Sequence, residues 1–455
     1  MQQLSNFAPR VETQPAPVGI DPKAAWYGVG VLFMVQIFSF MDRQALSLLI
    51  VPIKSDLGLS DTEVSLLIGL GFALAYAVAG LPIGRIVDRV SRPHLLSAGL
   101  ALWSASTFMC GFARSFAQLA LARSGVGVGE ATGTPVVTSL IADYFPPTRR
   151  GIAFAVFAVS AYLGTGLSLI AGSAIVHALA GRAEVSLPVL GAIRSWQIVF
   201  LILGPPGVLV IPFVLSLREP RRKTARAVAP GADEAPRLRQ VLQHYRRHWR
   251  AFVGQHAAST LMAMLFYGTG AWAPEFLRRT YDVPIAAAGV AVGLTTMLAG
   301  TAGVLSGGLV SDRVLRRGQT DARLRTTVFA ALCAFPFAVT FPLAGHAALA
   351  LALLGGMIFF TSTISTTGST GVQELVPPRM RGTASAVFLF VFNGIGLSFG
   401  PTLIAVLTDR LFADNAMLWA ALAIAAPTMS LAAAIVGSIG LRSYRVCVAA
   451  GMSPA

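Results

Sequence analysis

Charge is scarce in this chain. Only 12% of its 455 residues are Asp, Glu, Lys or Arg, about half the share of an ordinary soluble domain, while 55% are hydrophobic. So little polar surface cannot coat a water-soluble fold, and the composition places the chain in a bilayer. Cysteine is nearly absent too. Cys110 and Cys333 fall in apolar runs and Cys447 near the C-terminus, and no pair has the spacing of a disulfide framework or a metal site. There is no nucleotide-binding glycine loop and no nucleophile with its base, so the expectation is a protein that is not an enzyme and carries no cofactor or metal. The first 24 residues, with Pro15, Pro17 and Pro22, lack the basic-then-apolar order of a cleaved signal. They read as a disordered cytoplasmic leader before a retained first span.

What is abundant is long apolar runs. A hydrocarbon core about 30 Å thick needs about 20 apolar residues per helical crossing, so this length holds about twelve crossings. Apolar windows fall at 25–51, 63–86, 94–113, 116–142, 150–178 and 195–217, then at 250–277, 285–311, 325–343, 347–375, 382–408 and 415–440. Each should be α-helical, because a lone span in lipid must satisfy its own backbone. The expected fold is all-α: two six-helix bundles, 25–217 and 250–440, joined by a basic linker at 218–249 and followed by a tail at 441–455. Leu238, Val241 and Leu242 among the linker's basic residues suggest a short surface helix against anionic headgroups.

A net charge of +15 would suggest nucleic acid in a soluble protein, but here the positive residues alternate with the loops. Arg85, Arg89, Arg92, Arg149, Arg150, Arg313, Arg316, Arg317, Arg379 and Arg381 gather in every second connection, which predicts cytoplasmic termini in a bacterial-type inner membrane and no nucleic-acid partner.

The two halves repeat. Gly84-Arg-Ile-Val-Asp88-Arg89-Val-Ser-Arg92 ends the second span and Gly308-Leu-Val-Ser-Asp312-Arg313-Val-Leu-Arg316 the eighth. Pro146-Pro147 and Pro377-Pro378 open the fifth and eleventh spans, each followed by Arg-Gly and then Ala-Val-Phe, and Gly164-Thr-Gly-Leu-Ser168 is echoed by Gly394-Ile-Gly-Leu-Ser398. Three echoes in one order imply parallel six-helix repeats.

The Gly-x-x-x-Asp-Arg-x-x-Arg pattern resembles the signature loop of the major facilitator superfamily, whose members are alternating-access transporters. The glycines permit close helix contact, and Asp88 and Asp312 can face opposing helix N-termini. Arg89 and Arg313 are then expected to pair with Asp143 and Glu374, a latch that closes the cytoplasmic side. Within the superfamily, Phe40-Met-Asp42-Arg43, Ile53-Lys-Ser-Asp-Leu-Gly-Leu-Ser60, Gly127-Val-Gly-Glu130 and Ser139-Leu-Ile-Ala-Asp143-Tyr-Phe-Pro-Pro147 are similar to the spinster-like branch. That resemblance implies an anionic amphiphile of the lysophospholipid or sphingoid-phosphate kind, carried with protons. Organic-anion symporters share part of the pattern and give the alternative of a small carboxylate; a non-transporting membrane sensor is the alternative of another class. A monomer among membrane lipids is expected.

Four ionisable residues lie deep in the first half. Asp42 and Arg43 sit about 15 Å from the outer end of the first helix, and on the fourth helix Arg123 and Glu130 are nearly two turns apart on one face. Charges at such depth mark function by default. Burial favours the protonated form of a carboxyl and a neighbouring arginine the ionised form, so Glu130 or Asp42 can exchange a proton when an anion takes over Arg43 or Arg123. The second half offers no such charge. Its Thr363 and Thr367, with Asn393, are expected to line the far wall.

Overall fold

The computed structural model describes residues 21–87, 89–182, 184–187, 191–220, 238–377 and 380–452. It is an all-α membrane protein of twelve crossings in two six-helix bundles. The first crossing is Pro22–Gln44, carried on through Ala45–Leu48 and Ile50–Leu57. The second is Asp61–Ile68 and Leu70–Ile86, the third Arg92–Cys110, and the fourth Phe116–Glu130 and Gly133–Tyr144. The fifth is Pro147–Ala178, and the sixth starts at Ser195–Leu203 and ends at Ile211–Leu215. In the second half the crossings are Trp249–Tyr281, Ile285–Arg316, Ala322–Thr340, Ala347–Glu374, Arg381–Val406 and Leu418–Met452. Among the described residues nine helices are long and apolar enough to span a bilayer by length and composition. The fourth crossing falls outside that group because a break at Ala131–Thr132 divides it into two shorter pieces.

Two faces result. Between the fifth and sixth crossings a hairpin pairs Glu184–Leu187 with Gly191–Arg194, and we call its side the hairpin face. The arginine-rich connections lie on the opposite, basic face. The expected linker helix is present as Leu238–Arg247, with Val241 buried against the second half and Leu242 59% exposed. Residues 1–20 of the leader, 221–237 of the linker and Asp88 lie outside the described residues. The last helix continues past the expected end of the span into the tail, to Met452, where Arg445 pairs with Asp321 at 2.9 Å and Tyr444 donates to the Gly371 carbonyl at 2.9 Å. Arg442 and Arg445 end the apolar run, but not the helix.

The halves meet through the second crossing against the eleventh and the fifth against the eighth. Both contacts need missing side chains. A Cβ on Gly69 would stand 2.5 Å from the Leu397 carbonyl oxygen, and one on Gly293 2.8 Å from that of Gly166. At the hairpin face charge closes the gap. The second crossing begins at Asp61 because Ser60 and Glu63 form a reciprocal capping box. Asp61, fully buried, accepts both terminal nitrogens of Arg279 across the interface, at 2.6 and 3.1 Å, and also pairs with Lys54 of its own half. Arg279 is held in turn by Glu275 at 2.5 Å. Beside it, Asp409 accepts from the Thr62 backbone and hydroxyl, both at 2.6 Å.

Removing one partner of a buried ion pair costs about 3 kcal/mol or more, roughly a hundredfold in population. Asp61→Ala should therefore release the hairpin face. Spin labels at Ser55 and Ala416, in a background without native cysteines, should show a longer distance population that wild type lacks. An unchanged distance distribution would mean that the clasp does not set the closed state.

Candidate functional site

The first helix presents one stripe to the centre of the molecule: Gln36, Ser39, Phe40 and Arg43, at the three- and four-residue spacing of a single helix face. Opposite it stands Glu130, the last residue before the break in the fourth crossing. Glu130 Oε2 accepts from the Ser39 hydroxyl at 2.7 Å and pairs with Arg43 Nη2. The Arg43 guanidinium also lies over the rings of Phe72 at 4.6 Å, Phe40 at 4.8 Å and Tyr76 at 5.8 Å. Those aromatic faces stabilise a cation that has left water. Glu130 Oε1 has no hydrogen-bond partner among the described residues, which leaves one carboxylate oxygen available.

The sequence suggested one network of four charges, and the structure divides it into two layers. Arg43 and Glu130 line a cavity; Asp42 and Arg123 lie behind it, 2% and 0% exposed. Arg123 Nη1 donates to the Asp42 backbone carbonyl at 3.2 Å, while its Nε and Nη2 have no partner among the described residues. The Asp42 carboxyl is within electrostatic reach of both Arg123 and Glu130. The fourth helix also packs tightly on the second: a Cβ on Gly127 would meet the Phe72 carbonyl at 2.4 Å.

The cavity, about 150 Å³, lies between the two halves. On the first-half side Gln36, Ser39, Arg43, Tyr76, Glu130 and Thr134 stand among Val35, Phe40 and Trp103; on the other side Tyr267, Leu389, Phe392 and Asn393 complete it, so the charge lies on one wall only. Asn393 thus reaches the cavity, but Thr363 and Thr367 do not. Thr363 donates to the Phe360 carbonyl at 2.8 Å, and Thr367 meets the Thr327 hydroxyl of the ninth crossing at 2.9 Å. Both are buried, their hydroxyls satisfied by their own bundle, as hydroxyls in apolar helices commonly are. Ser39, Tyr76 and Thr134 went unremarked in the sequence. The first was legible, standing one turn before Arg43; the other two lie in ordinary apolar helix.

The basic face departs from the expected latch. The partner of Asp143 is Arg92, not Arg89, at 2.6 Å; the partner of Glu374 is Arg323, not Arg313, at 3.1 Å, and Arg323 also pairs with Asp312 at 2.8 Å. The second crossing ends at Ile86, so Arg89 lies in an exposed turn, whereas Arg92 opens the next helix and points back at the fourth. Arg313 sits exposed on the last turn of the eighth crossing. Arg92 also gathers Ser139 at 2.8 Å and Glu219 at 3.3 Å. Burial pushes the Glu219 carboxyl up, but hydrogen bonds from Ser91 and Arg92 outweigh it and hold it below the usual carboxylate range. Every one of these pairs lies within one half. Gly84 has nothing within 4 Å of an added Cβ, and Gly308 meets only Thr366 of its own half, at 3.8 Å. Neither glycine therefore carries a close contact between the halves.

The central ion pair carries a stability prediction. Glu130→Ala strands a desolvated guanidinium and should cost about 3–5 kcal/mol, whereas Ser39→Ala removes one hydrogen bond to a charge, about 1.5–3 kcal/mol. Thermal unfolding in detergent should rank wild type above Ser39→Ala, and Ser39→Ala above Glu130→Ala. A Glu130→Ala protein as stable as wild type would show that the pair does not compensate its own burial.

Comparison with known proteins fits this geometry. A family model described as Major Facilitator Superfamily matches residues 32–401. An MFS-type efflux pump of Mycolicibacterium smegmatis is 31% identical over 86% of each chain. A probable L-galactonate transporter of Escherichia coli is 26% identical, over 83% of this chain and 82% of that one. Protein spinster of Drosophila melanogaster is 25% identical over 87% of this chain and 64% of its own length. Among solved structures, a bacterial homolog to the human lysosomal transporter spinster, inward-facing and unoccupied, superposes with a TM-score of 0.73 at 23% identity, covering 96% of this chain and 100% of that one. Twelve helices in two repeated bundles, clasped by charge across the halves at the hairpin face, and a family model spanning most of the sequence lead to one conclusion: the chain is a membrane transporter belonging to the major facilitator superfamily, with spinster proteins among its relatives.

Proposed function

We propose that the protein is an alternating-access secondary transporter of an anionic amphiphile, of the lysophospholipid or sphingoid-phosphate kind, driven by protons. The observation that carries this reading is the Arg43–Glu130 pair at the wall of a cavity that is charged on one side and uncharged on the other, where Leu389 and Phe392 stand beside Tyr267 and Asn393. An anionic headgroup entering the cavity competes with Glu130 for Arg43, whose guanidinium matches a phosphate or carboxylate in two-point geometry. The displaced carboxylate, left in a low-dielectric site without its cation, takes up a proton. Anion and proton therefore bind together. Asp42 and Arg123 form the second layer: Arg123 anchors the first helix beneath Arg43, and Asp42 is the alternative proton carrier.

The cavity supports a headgroup site more than a tail site. Its volume of about 150 Å³ is below the roughly 300–1,000 Å³ of pockets that enclose drug-sized ligands. A lipid tail would extend past Leu389 and Phe392 toward the basic face. The same small volume, with Gln36, Thr134 and Asn393 as polar neighbours, also suits a small hydroxylated carboxylate, and the likeness to a probable L-galactonate transporter favours that as the second reading. In either case the basic face is assigned to the cytoplasm of a bacterial-type inner membrane, the transporter acts as a monomer, and Arg92–Asp143 and Arg323–Glu374 brace each half at the opening.

Counterflow into proteoliposomes, with and without a pH gradient, tests this. Wild type should accumulate lysophospholipid only with the gradient, and Glu130→Gln should lose gradient-driven accumulation by more than about tenfold, equivalent to 1.4 kcal/mol. Asp42→Asn should retain it if Glu130 is the carrier. Movement of short carboxylates but never of lipids would replace the amphiphile with the second reading. Indifference of every transported substrate to the gradient would refute proton coupling, and no movement of any substrate would leave a sensor.

A further inference from the structure

Far from the central cavity, on the basic face, three metal-binding side chains converge. His244 and His248 stand four residues apart on the continuous turn that leads from the linker helix into the seventh crossing, where the His248 amide donates to the His244 carbonyl at 3.1 Å. This spacing puts both imidazoles on one side of the turn, and their ring centroids are 4.8 Å apart. Cys447, buried in the last helix, meets them there. One ligand atom from each residue lies within 4.8 Å of the others. Four-coordinate zinc, with bonds of about 2.0–2.3 Å, holds its ligand atoms roughly 3.3–3.7 Å apart. Closing the cluster thus requires shifts of about 1 Å, within reach of the half-buried His248 side chain.

We propose that His244, His248 and Cys447 form a binding site for a borderline-soft divalent transition-metal ion, of which Zn²⁺ is the type, with water as the fourth ligand. Two imidazoles and a thiolate are the donor set that such ions select over magnesium or calcium. An outer support is already built. His244 Nε2 is 2.8 Å from the Leu375 carbonyl oxygen at the end of the tenth crossing, the kind of contact that fixes the tautomer of a ligating histidine and leaves Nδ1 free. The Cys447 sulfur lies 3.5 Å from the same carbonyl; on binding, the thiol proton passes to solvent and the sulfur joins the ion as thiolate. Tyr245, stacked on Phe252 at 3.8 Å, adds an apolar wall beside the cluster. The ion would staple the linker helix to the last helix and so fix where the connection from the first half attaches to the second. The pieces of the site are far apart in sequence, which is why cysteine spacing gave no sign of it.

The test uses the full-length protein in detergent, with any histidine tag removed and metal stripped by chelator, titrated with Co²⁺ and then Zn²⁺. The expected result is one Co²⁺ per chain, with a thiolate-to-cobalt charge-transfer band and tetrahedral ligand-field bands, all displaced by Zn²⁺. Cys447→Ser should abolish the charge-transfer band, His248→Ala should weaken Co²⁺ binding by more than about tenfold, and Cys333→Ala should change neither. A wild-type protein that binds no cobalt, or a charge-transfer band that survives Cys447→Ser, would overturn the proposal. Should Cys447→Ser fail to elute as a folded species, His244→Ala and His248→Ala decide: cobalt affinity unchanged in both overturns the site, and a loss in both upholds it.

Discussion

An arginine and a glutamate held together in the middle of a bilayer protein constrain nearly everything around them. Each charge, alone, costs several kcal/mol to desolvate, so the Arg43–Glu130 pair exists only where geometry brings the two within contact and supplies further partners. The surroundings provide this. Ser39 adds a hydrogen bond, Phe40, Phe72 and Tyr76 surround the guanidinium, and the fourth helix breaks directly after Glu130. The pair is stable enough to persist and incomplete enough to exchange: Glu130 Oε1 and Arg43 Nε have no partner among the described residues. Under the proposed function, an anion would replace one acceptor of Arg43 with another, without leaving a charge bare.

The two ends of the molecule differ in how charge is used. At the hairpin face Asp61 and Arg279 bond across the two halves, and Asp409 holds the start of the second crossing. At the basic face the corresponding pairs, Arg92–Asp143 and Arg323–Glu374, stay within their own bundles and brace helix ends. Their positions repeat in the two halves: each arginine is at the start of a bundle's third helix and each carboxylate at the end of its fourth. Each bundle is thus braced within itself at the basic face and joined to the other by the clasp at the hairpin face.

Much of this was legible in the sequence, and what escaped has physical reasons. Apolar runs and repeated motifs are local signals, so twelve crossings and two parallel halves follow from them. Arg43 and Glu130 stand out because an ionisable residue inside an apolar run has few neutral explanations. The division into a cavity pair and a buried pair was not legible, since it depends on how the first and fourth helices face each other in three dimensions. Nor was the clasp, which joins Asp61 to Arg279 across 218 positions. The latch expectation chose Arg89 over Arg92 because spacing cannot say at which residue a helix stops; the stop at Ile86 turns Arg89 outward. Thr363 and Thr367 misled for a related reason, as hydroxyl content does not reveal which hydroxyls a helix keeps for itself.

Of the account's claims, the most consequential is that an anion displaces Glu130 from Arg43 and that the carboxylate then takes a proton. Proton exchange on ligand binding can be read directly, by following pH in weakly buffered detergent solution as a lysophospholipid with a phosphate headgroup is added to the purified protein. The account predicts net proton uptake approaching one per bound ligand in wild type and its loss in Glu130→Gln with binding retained. Binding without proton uptake, or the same uptake in Glu130→Gln, would contradict it.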